Sequence, residues 1–282
     1  MGTIKVSLIT TIFNEADNIQ AFLESYRRQT KIADEFIIVD GGSLDDSVAI
    51  IEKFSNENKK LNIKIIIDRT CSKKNVLGPI AKGRNVAIKN AKNVYIAVTD
   101  AGCILDDRWF EEIIKPFNNN VDVVCGWYEA HIENDFQKIY ADIFMPKLEN
   151  LDIDAFLPSS RSVAFKKSCW AKVKGYPDDT LTAEDTVFDM SLKRHGCSFD
   201  FSEKAIVYWS CPKSFKEAIE KADYYARGDG KKRIFLKRFL GRNFFLLFPM
   251  NIFMNPLRRK HFKLSYNVML HYQLGYIKGL FS

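Results

Sequence analysis

Near-continuous apolar runs alternate with amphipathic stretches through the first third of the chain. Residues 5–12 (KVSLITTI), 36–39 (FIIV), 63–67 (IKIII) and 94–99 (VYIAVT) have the length and β-branched content of buried strands. Helical patterns follow: one opens at the polar turn 14–18 and runs to about 29, one covers 48–54, and one covers 84–91. This β-α-β-α-β-α-β order predicts an α/β fold with a mainly parallel sheet and helices on both faces. The second half is less regular. Its pattern predicts helices over 109–117, 136–148, 166–173, 182–195 and 215–226, with strands over 121–128, 159–165 and 205–209. Past Asp229 the chain turns basic and aromatic, which predicts a catalytic-type domain over 1–229 and a helical appendage over 230–282.

Charge sharpens that boundary. The net charge is +7, yet residues 230–282 hold 11 of the 42 Lys and Arg and no Asp or Glu, so the remainder carries 31 basic against 35 acidic residues. A basic tail on an acidic body points to an anionic surface met by the tail, not to nucleic-acid binding by the whole chain. No run of about 18 apolar residues marks a membrane span, and MGTIKVSLITT has no signal-peptide pattern, so the expected location is cytoplasmic, peripheral on the inner membrane face. The six cysteines are widely spaced with no C-x-x-C, which predicts free buried thiols.

Polar groups cluster where the strands end. Asp100 follows the run at 94–99, and Ala101 and Gly102 after it are too small to block approach. In open α/β sheets that rim binds ligands, and a carboxylate there can reach a sugar hydroxyl or a cation. A turn capping the helix at Trp109 would explain Asp100 equally well. Thr10 to Glu15, Asp40 and Asp100 would share one rim with Arg84 and Asn85. Such a set suits a nucleotide: Asp40 can accept from a pyrimidine imide, Asp100 can hold ribose or a cation at a diphosphate, and Arg84 can neutralise phosphate. Glu184 and Asp185 open a helix, where carboxylates also serve as simple caps.

Taken in order, VSLITTIFNE, IIVDGGSLDDS, GRNVAI, VTDAGC and AEDTVFDMSLKRHG resemble the family 2 inverting glycosyltransferases of the GT-A, Rossmann-like fold. The likeness covers about residues 5–209. It implies a UDP- or GDP-sugar donor, a glycan or lipid-linked acceptor, and a part in polysaccharide biosynthesis of the cell envelope. By position it implies that Thr10, Phe13, Asn14, Glu15 and Arg69 line the base and ribose, with Asp40 on the base. Gly83, Arg84 and Asn85 would face the diphosphate, Asp100, Ala101 and Gly102 would form the metal corner, and Trp209 and Arg227 would belong to the acceptor side or a lid. Asp185 becomes the general base and Glu184 its neighbour, orienting it or binding substrate.

Two departures stand out. The family's D-D-G-S is Asp40-Gly41-Gly42-Ser43, and its D-x-D is Asp100-Ala101-Gly102, without the second metal-binding Asp. A single carboxylate with diphosphate oxygens and waters can still hold Mg²⁺ or Mn²⁺. The competing reading is a non-catalytic sugar-nucleotide or carbohydrate binder. Dinucleotide and P-loop enzymes are excluded, because neither G-x-G-x-x-G after the first strand nor G-x-x-x-x-G-K-[ST] occurs.

Overall fold

A computed structural model describes residues 4–237, 239–241 and 250–282. Arg238 and residues 242–249 (RNFFLLFP), which the sequence reading includes in its basic, aromatic tail, lie outside the described residues. The chain forms two compact units. The first comprises residues 1–129, 152–179 and 184–209, and the second 130–151, 180–183 and 210–282.

The first unit is built on a sheet of order β3-β2-β1-β4-β7-β6-β8-β5. Strands β1 (Val6–Ile12), β2 (Glu35–Asp40), β3 (Ile63–Ile67) and β4 (Tyr95–Val98) are parallel, as the βαβ pattern requires. From β4 outward the pairing changes. Strand β7 (Val163–Lys166) runs antiparallel to β4 and to β6 (Val123–His131), and β5 (Cys103–Leu105) runs antiparallel to β8 (Phe199–Ser210).

Alternation along the parallel strands builds two cores. Leu8, Ile12, Phe36 and Ile38 pack on one face with Phe22, Leu23 and Tyr26 of α1 (Ala16–Arg27) and with Trp109 and Phe110. Ile9, Ile37, Val39, Ile96 and Val98 face the other way, onto Ala87 and Ile88 of α3 (Pro79–Asn90) and Phe188 and Leu192 of α7 (Glu184–Arg194). Successive side chains of a strand point to opposite faces, so both faces are covered. Helix α2 (Ser47–Glu57) adds Ile51 and Phe54 to the first core.

Helix α3 begins at Pro79, before the expected residue 84, because proline suits a first helical turn. Helix α4 (Trp109–Ile114) ends early and passes into a 3₁₀ turn, Lys115–Asn119, that contains Pro116. All six cysteines are free, and five are buried.

The second unit contains α5 (Asp135–Phe144), α8 (Phe215–Lys231) and three carboxyl-terminal helices, Met250–Met254, Pro256–Lys260 and Phe262–Leu280. Its boundary falls earlier than the shift in composition at Gly230, since α8 runs through that point. Phe262–Leu280 packs on α8 at very short range. A Cβ on Gly230 would lie 2.1 Å from the Tyr276 carbonyl oxygen, so only glycine permits that approach. Ala218, Leu264, Val268 and Ile143 make a separate small core. No helix among the described residues is long and apolar enough to cross a membrane.

Candidate active site

The β1 rim is laced to the loop after β2. Asn14 takes a left-handed backbone (φ 55°), which asparagine tolerates, and its Oδ1 accepts from Leu44 N at 2.8 Å while its own N–H donates to Ser43 Oγ. Glu15 N–H donates to Ser47 Oγ at 2.7 Å. Burial raises the Glu15 carboxyl above its ordinary range; a hydrogen bond from Asn18 opposes this, and the nearby Asp100 charge adds to it. Phe13 is half exposed at this rim, and Thr10 is buried, its Oγ1 without a partner among the described residues.

Asp40 ends β2 fully buried. Its carboxylate accepts from Gly42 N (3.0 Å), Ser43 N (3.1 Å) and Ser43 Oγ (2.5 Å), so it builds the loop that follows β2. Gly42 is left-handed (φ 92°), and a Cβ there would meet Arg69 Cγ at 2.9 Å, which places the exposed Arg69 stem against this loop.

Arg84 is the centre of the constellation. Only 3% exposed, its guanidinium donates to Asp100 Oδ1 at 2.7 Å and to Glu184 Oε1 at 2.8 Å, and it lies over the Tyr176 ring. Burial disfavours its charge, but the Asp100 and Glu184 carboxylates outweigh that and hold it protonated. Glu184 is shifted upward, by burial first and by Asp185 second, with Arg84 pulling the other way.

The two neighbours of Arg84 serve structure. A Cβ on Gly83 would meet Thr11 Cγ2 at 2.8 Å, so Gly83 lets α3 press on β1. Asn85 accepts from Trp170 Nε1 and Tyr176 N and donates to Tyr176 O, with distances of 2.8–2.9 Å. Both are expected at a diphosphate; in the structure Gly83 packs on β1 and the Asn85 side chain bonds to Trp170 and to the 175–176 turn.

Asp100 is 35% exposed, Ala101 is buried, and a Cβ on Gly102 would find nothing within 4 Å. The corner is therefore open next to a partly exposed carboxylate, which fits a cation held by one protein oxygen and by a ligand's own phosphates. Among the described residues, the group of three metal-type ligands lies elsewhere: Asp122, Cys169 and Cys197. They sit at the start of β6, the opposite end of the sheet from Asp100 by the β4–β7–β6 register. There Asp122 is already paired with Lys166, and burial together with Cys197 pushes the Cys169 thiol to about 12.

Asp185 lies at the amino end of α7. Its Oδ1 accepts from Thr186 N at 2.8 Å, and Oδ2 lies 3.5 Å from Ser160 N. The residue before the pair, Ala183, is left-handed (φ 67°), a conformation that costs an alanine roughly 1–2 kcal/mol and persists where its surroundings fix it.

The structure adds residues that the sequence did not single out. The Arg161 guanidinium stacks 4.4 Å from the Trp209 ring and 5.3 Å from the Tyr128 ring. Trp209 pairs with Cys103 in β8–β5, beside the Asp100 corner. Asp189, one turn after Asp185, is 2% exposed with no partner for Oδ2 among the described residues, and burial raises its carboxyl well above the ordinary range. Its place at i+4 from Asp185, between Phe188 and Leu192, is the signal that could have marked it. Arg227 lies in the second unit, where Asp223 binds it.

A family model, "Glycosyl transferase family 2", matches residues 7–175. The chain belongs to glycosyl transferase family 2. Among curated relatives it is 23% identical over 217 residues to the O-antigen chain rhamnosyltransferase RfbN of Salmonella typhimurium, covering 72% of this chain and 66% of that protein. It is 35% identical over 134 residues to the UDP-Glc:alpha-D-GlcNAc-diphosphoundecaprenol beta-1,3-glucosyltransferase WfaP of Escherichia coli, covering 46% of this chain and 48% of that one. The chain thus spans about half to two thirds of the length of these relatives. In fold it is similar to the mannosyltransferase PcManGT of Pyrobaculum calidifontis, solved with GDP-Man and Mn²⁺ (TM-score 0.70, 14% identity, 98% of this chain and 87% of that one). TarS of S. aureus also shares the fold (TM-score 0.58, 22% identity, 79% of this chain and 39% of that one).

Proposed function

We propose that the protein is an inverting glycosyltransferase that moves a sugar from a UDP- or GDP-sugar to a hydroxyl of a glycan or lipid-linked glycan. The observation that carries this reading is the chain Asp100–Arg84–Glu184, which ties the strand-end corner to the helix bearing Asp185. Phe13, Asn14, Glu15 and Arg69 receive the base and ribose, on a loop shaped by Asp40. The donor's diphosphate lies at the Asp100–Gly102 corner, where Asp100 would hold Mg²⁺ or Mn²⁺. When bound, such a cation stabilises charge on the departing nucleoside diphosphate. Arg84 is committed to two carboxylates, so its role is to fix Asp100 and Glu184 in place.

Asp185 takes the proton of the acceptor hydroxyl as that oxygen bonds to the anomeric carbon and the carbon–phosphate oxygen bond breaks. Contacts with Thr186 N and Ser160 N orient its carboxylate for this. Relatives and structural neighbours support the substrate classes: WfaP is named for a diphosphoundecaprenol-linked sugar, and TarS has been solved with UDP-GlcNAc. The basic carboxyl-terminal segment would keep the enzyme at an anionic membrane face, where lipid-linked acceptors are found.

The test is nucleoside diphosphate release, with and without acceptor, by the wild type and by Asp185→Asn. Loss of a general base lowers turnover about 10²- to 10⁴-fold and leaves donor affinity within about threefold. Release at the wild-type rate in the variant rejects Asp185 as base. Donor binding without acceptor-dependent release in the wild type selects the non-catalytic binder.

A further inference from the structure

The second unit leaves apolar and cationic side chains exposed together at one turn. Phe253 and Met254 are 54% and 78% exposed, and Phe262 is exposed as well. The Phe253 and Phe262 rings lie 5.6 Å apart, and Phe262 stacks on Tyr266, so the aromatics form one patch. Between them, Arg259 and Lys260 are exposed, as is Lys263 just beyond. The turn is ordered rather than frayed: Asn255 Oδ1 accepts from Leu257 N and Arg258 N at 3.0 Å, and Leu257 packs into the unit's core.

A cavity of about 250 Å³ in the same unit is lined among the described residues by Phe144, Ile252, Arg258, Ser265, Val268, Met269 and Tyr272. The Arg258 Nε is buried and has no hydrogen-bond partner among the described residues.

We propose that the turn 253–263 is a membrane-insertion surface: Phe253, Met254 and Phe262 enter the headgroup boundary of an anionic bilayer, and Arg259 and Lys260 meet its lipid phosphates. This rests on the membrane placement proposed above and assigns it to particular side chains. Charge complementarity selects the partner. Residues 230–282 contain no Asp or Glu, and four cations lie within 258–263. A nucleic acid would take the cations but leave Phe253 and Met254 in water, whereas a bilayer interface takes both.

The experiment uses full-length protein with vesicles of phosphatidylcholine alone and of phosphatidylcholine with phosphatidylglycerol, at low and high salt. The wild type binds the anionic vesicles at least about tenfold more tightly, and salt weakens the binding. Phe253→Ser with Met254→Ser, and separately Arg259→Ala with Lys260→Ala, each lower that affinity at least about tenfold while thermal unfolding and transfer to a soluble acceptor stay at wild-type values. In Phe253→Trp, indole emission shifts to the blue on binding. Unchanged vesicle affinity in both double variants, no blue shift, or no preference for anionic lipid overturns the proposal. So does tighter binding to duplex DNA than to vesicles. Loss of transfer to the soluble acceptor in the wild type would instead refute the glycosyltransferase reading and leave vesicle binding to be judged alone.

Discussion

Arg84 and Arg259 carry the same charge in opposite settings. Arg84 is buried between Asp100 and Glu184, and the desolvation of its guanidinium is offset by two short ion pairs. Arg259 is exposed in a segment where residues 230–282 hold no acid at all. The first charge is spent inside the fold, holding two carboxylates at fixed positions. The second is directed outward and gains its energy only when an anion arrives. A cation in a motif is therefore not automatically a ligand contact: its internal partners decide whether it builds the site or binds at it.

Replacing each arginine in turn tests that difference. Arg84→Met leaves Asp100 and Glu184 without their counter-charge and lowers the unfolding free energy by about 3–5 kcal/mol in urea titrations. A change near zero would mean that the ion pairs do not hold the site. Gly230→Ala in the second unit comes next. Helix propensity alone favours alanine by about 1 kcal/mol, but the Cβ would lie 2.1 Å from the Tyr276 carbonyl oxygen, so a net loss of about 1–3 kcal/mol is expected. A more stable variant would show that α8 and Phe262–Leu280 are packed less closely.

Asp189 gives a pH-dependent signal. Its folded carboxyl is raised well above the value of 3.8, by burial first and by Asp185 second, with Lys193 and Arg84 opposing. Above about pH 4 the unfolded chain has released this proton while the native state still holds it, so the group's contribution to stability falls as pH rises. In Asp189→Asn that loss disappears, and stability relative to wild type improves with pH by up to about 1.4 kcal/mol per unit within the window. Parallel pH curves for the two proteins would exclude a raised Asp189. The smallest effect is expected at the exposed end of the comparison: Arg259→Met changes unfolding by less than about 0.5 kcal/mol.

Much of the parallel half was legible because each strand is an apolar run of its own, and residues 63–67 match β3 to the residue. The carboxylates at strand ends were legible for the same reason: a run that stops at Asp40 or Asp100 exposes its end. What the sequence concealed depends on distant contacts. The Arg84–Glu184 pair spans 100 positions, and nothing local to GRNVAI says that Asn85 turns toward Tyr176. In the antiparallel half, the strands expected over 121–128, 159–165 and 205–209 overlap β6, β7 and β8, but their ends and β5 are set by pairing: β5 is three residues long, and residues 159–162, expected as strand, precede the observed start of β7. Arg161 reads as an ordinary polar residue of an expected strand until the fold places it against Tyr128 and Trp209. The domain boundary was drawn at a change of charge, yet helix α8 is continuous across it and packs on Phe262–Leu280 through Gly230 of its own and Gly275 and Gly279 of the other helix.

The central claim is that the open corner at Asp100 binds the diphosphate of a nucleotide sugar. The most direct test is calorimetric titration of the wild type and of Asp100→Ala with a panel of UDP- and GDP-sugars, with and without Mn²⁺. The account predicts that at least one donor binds the wild type one to one and that at 100 times its Kd it stabilises the fold by roughly 2.7 kcal/mol. Mn²⁺ should tighten that binding in the wild type, and Asp100→Ala should weaken it at least about tenfold and abolish the response to Mn²⁺. Failure of every donor to bind, or equal affinity in the variant, would contradict it.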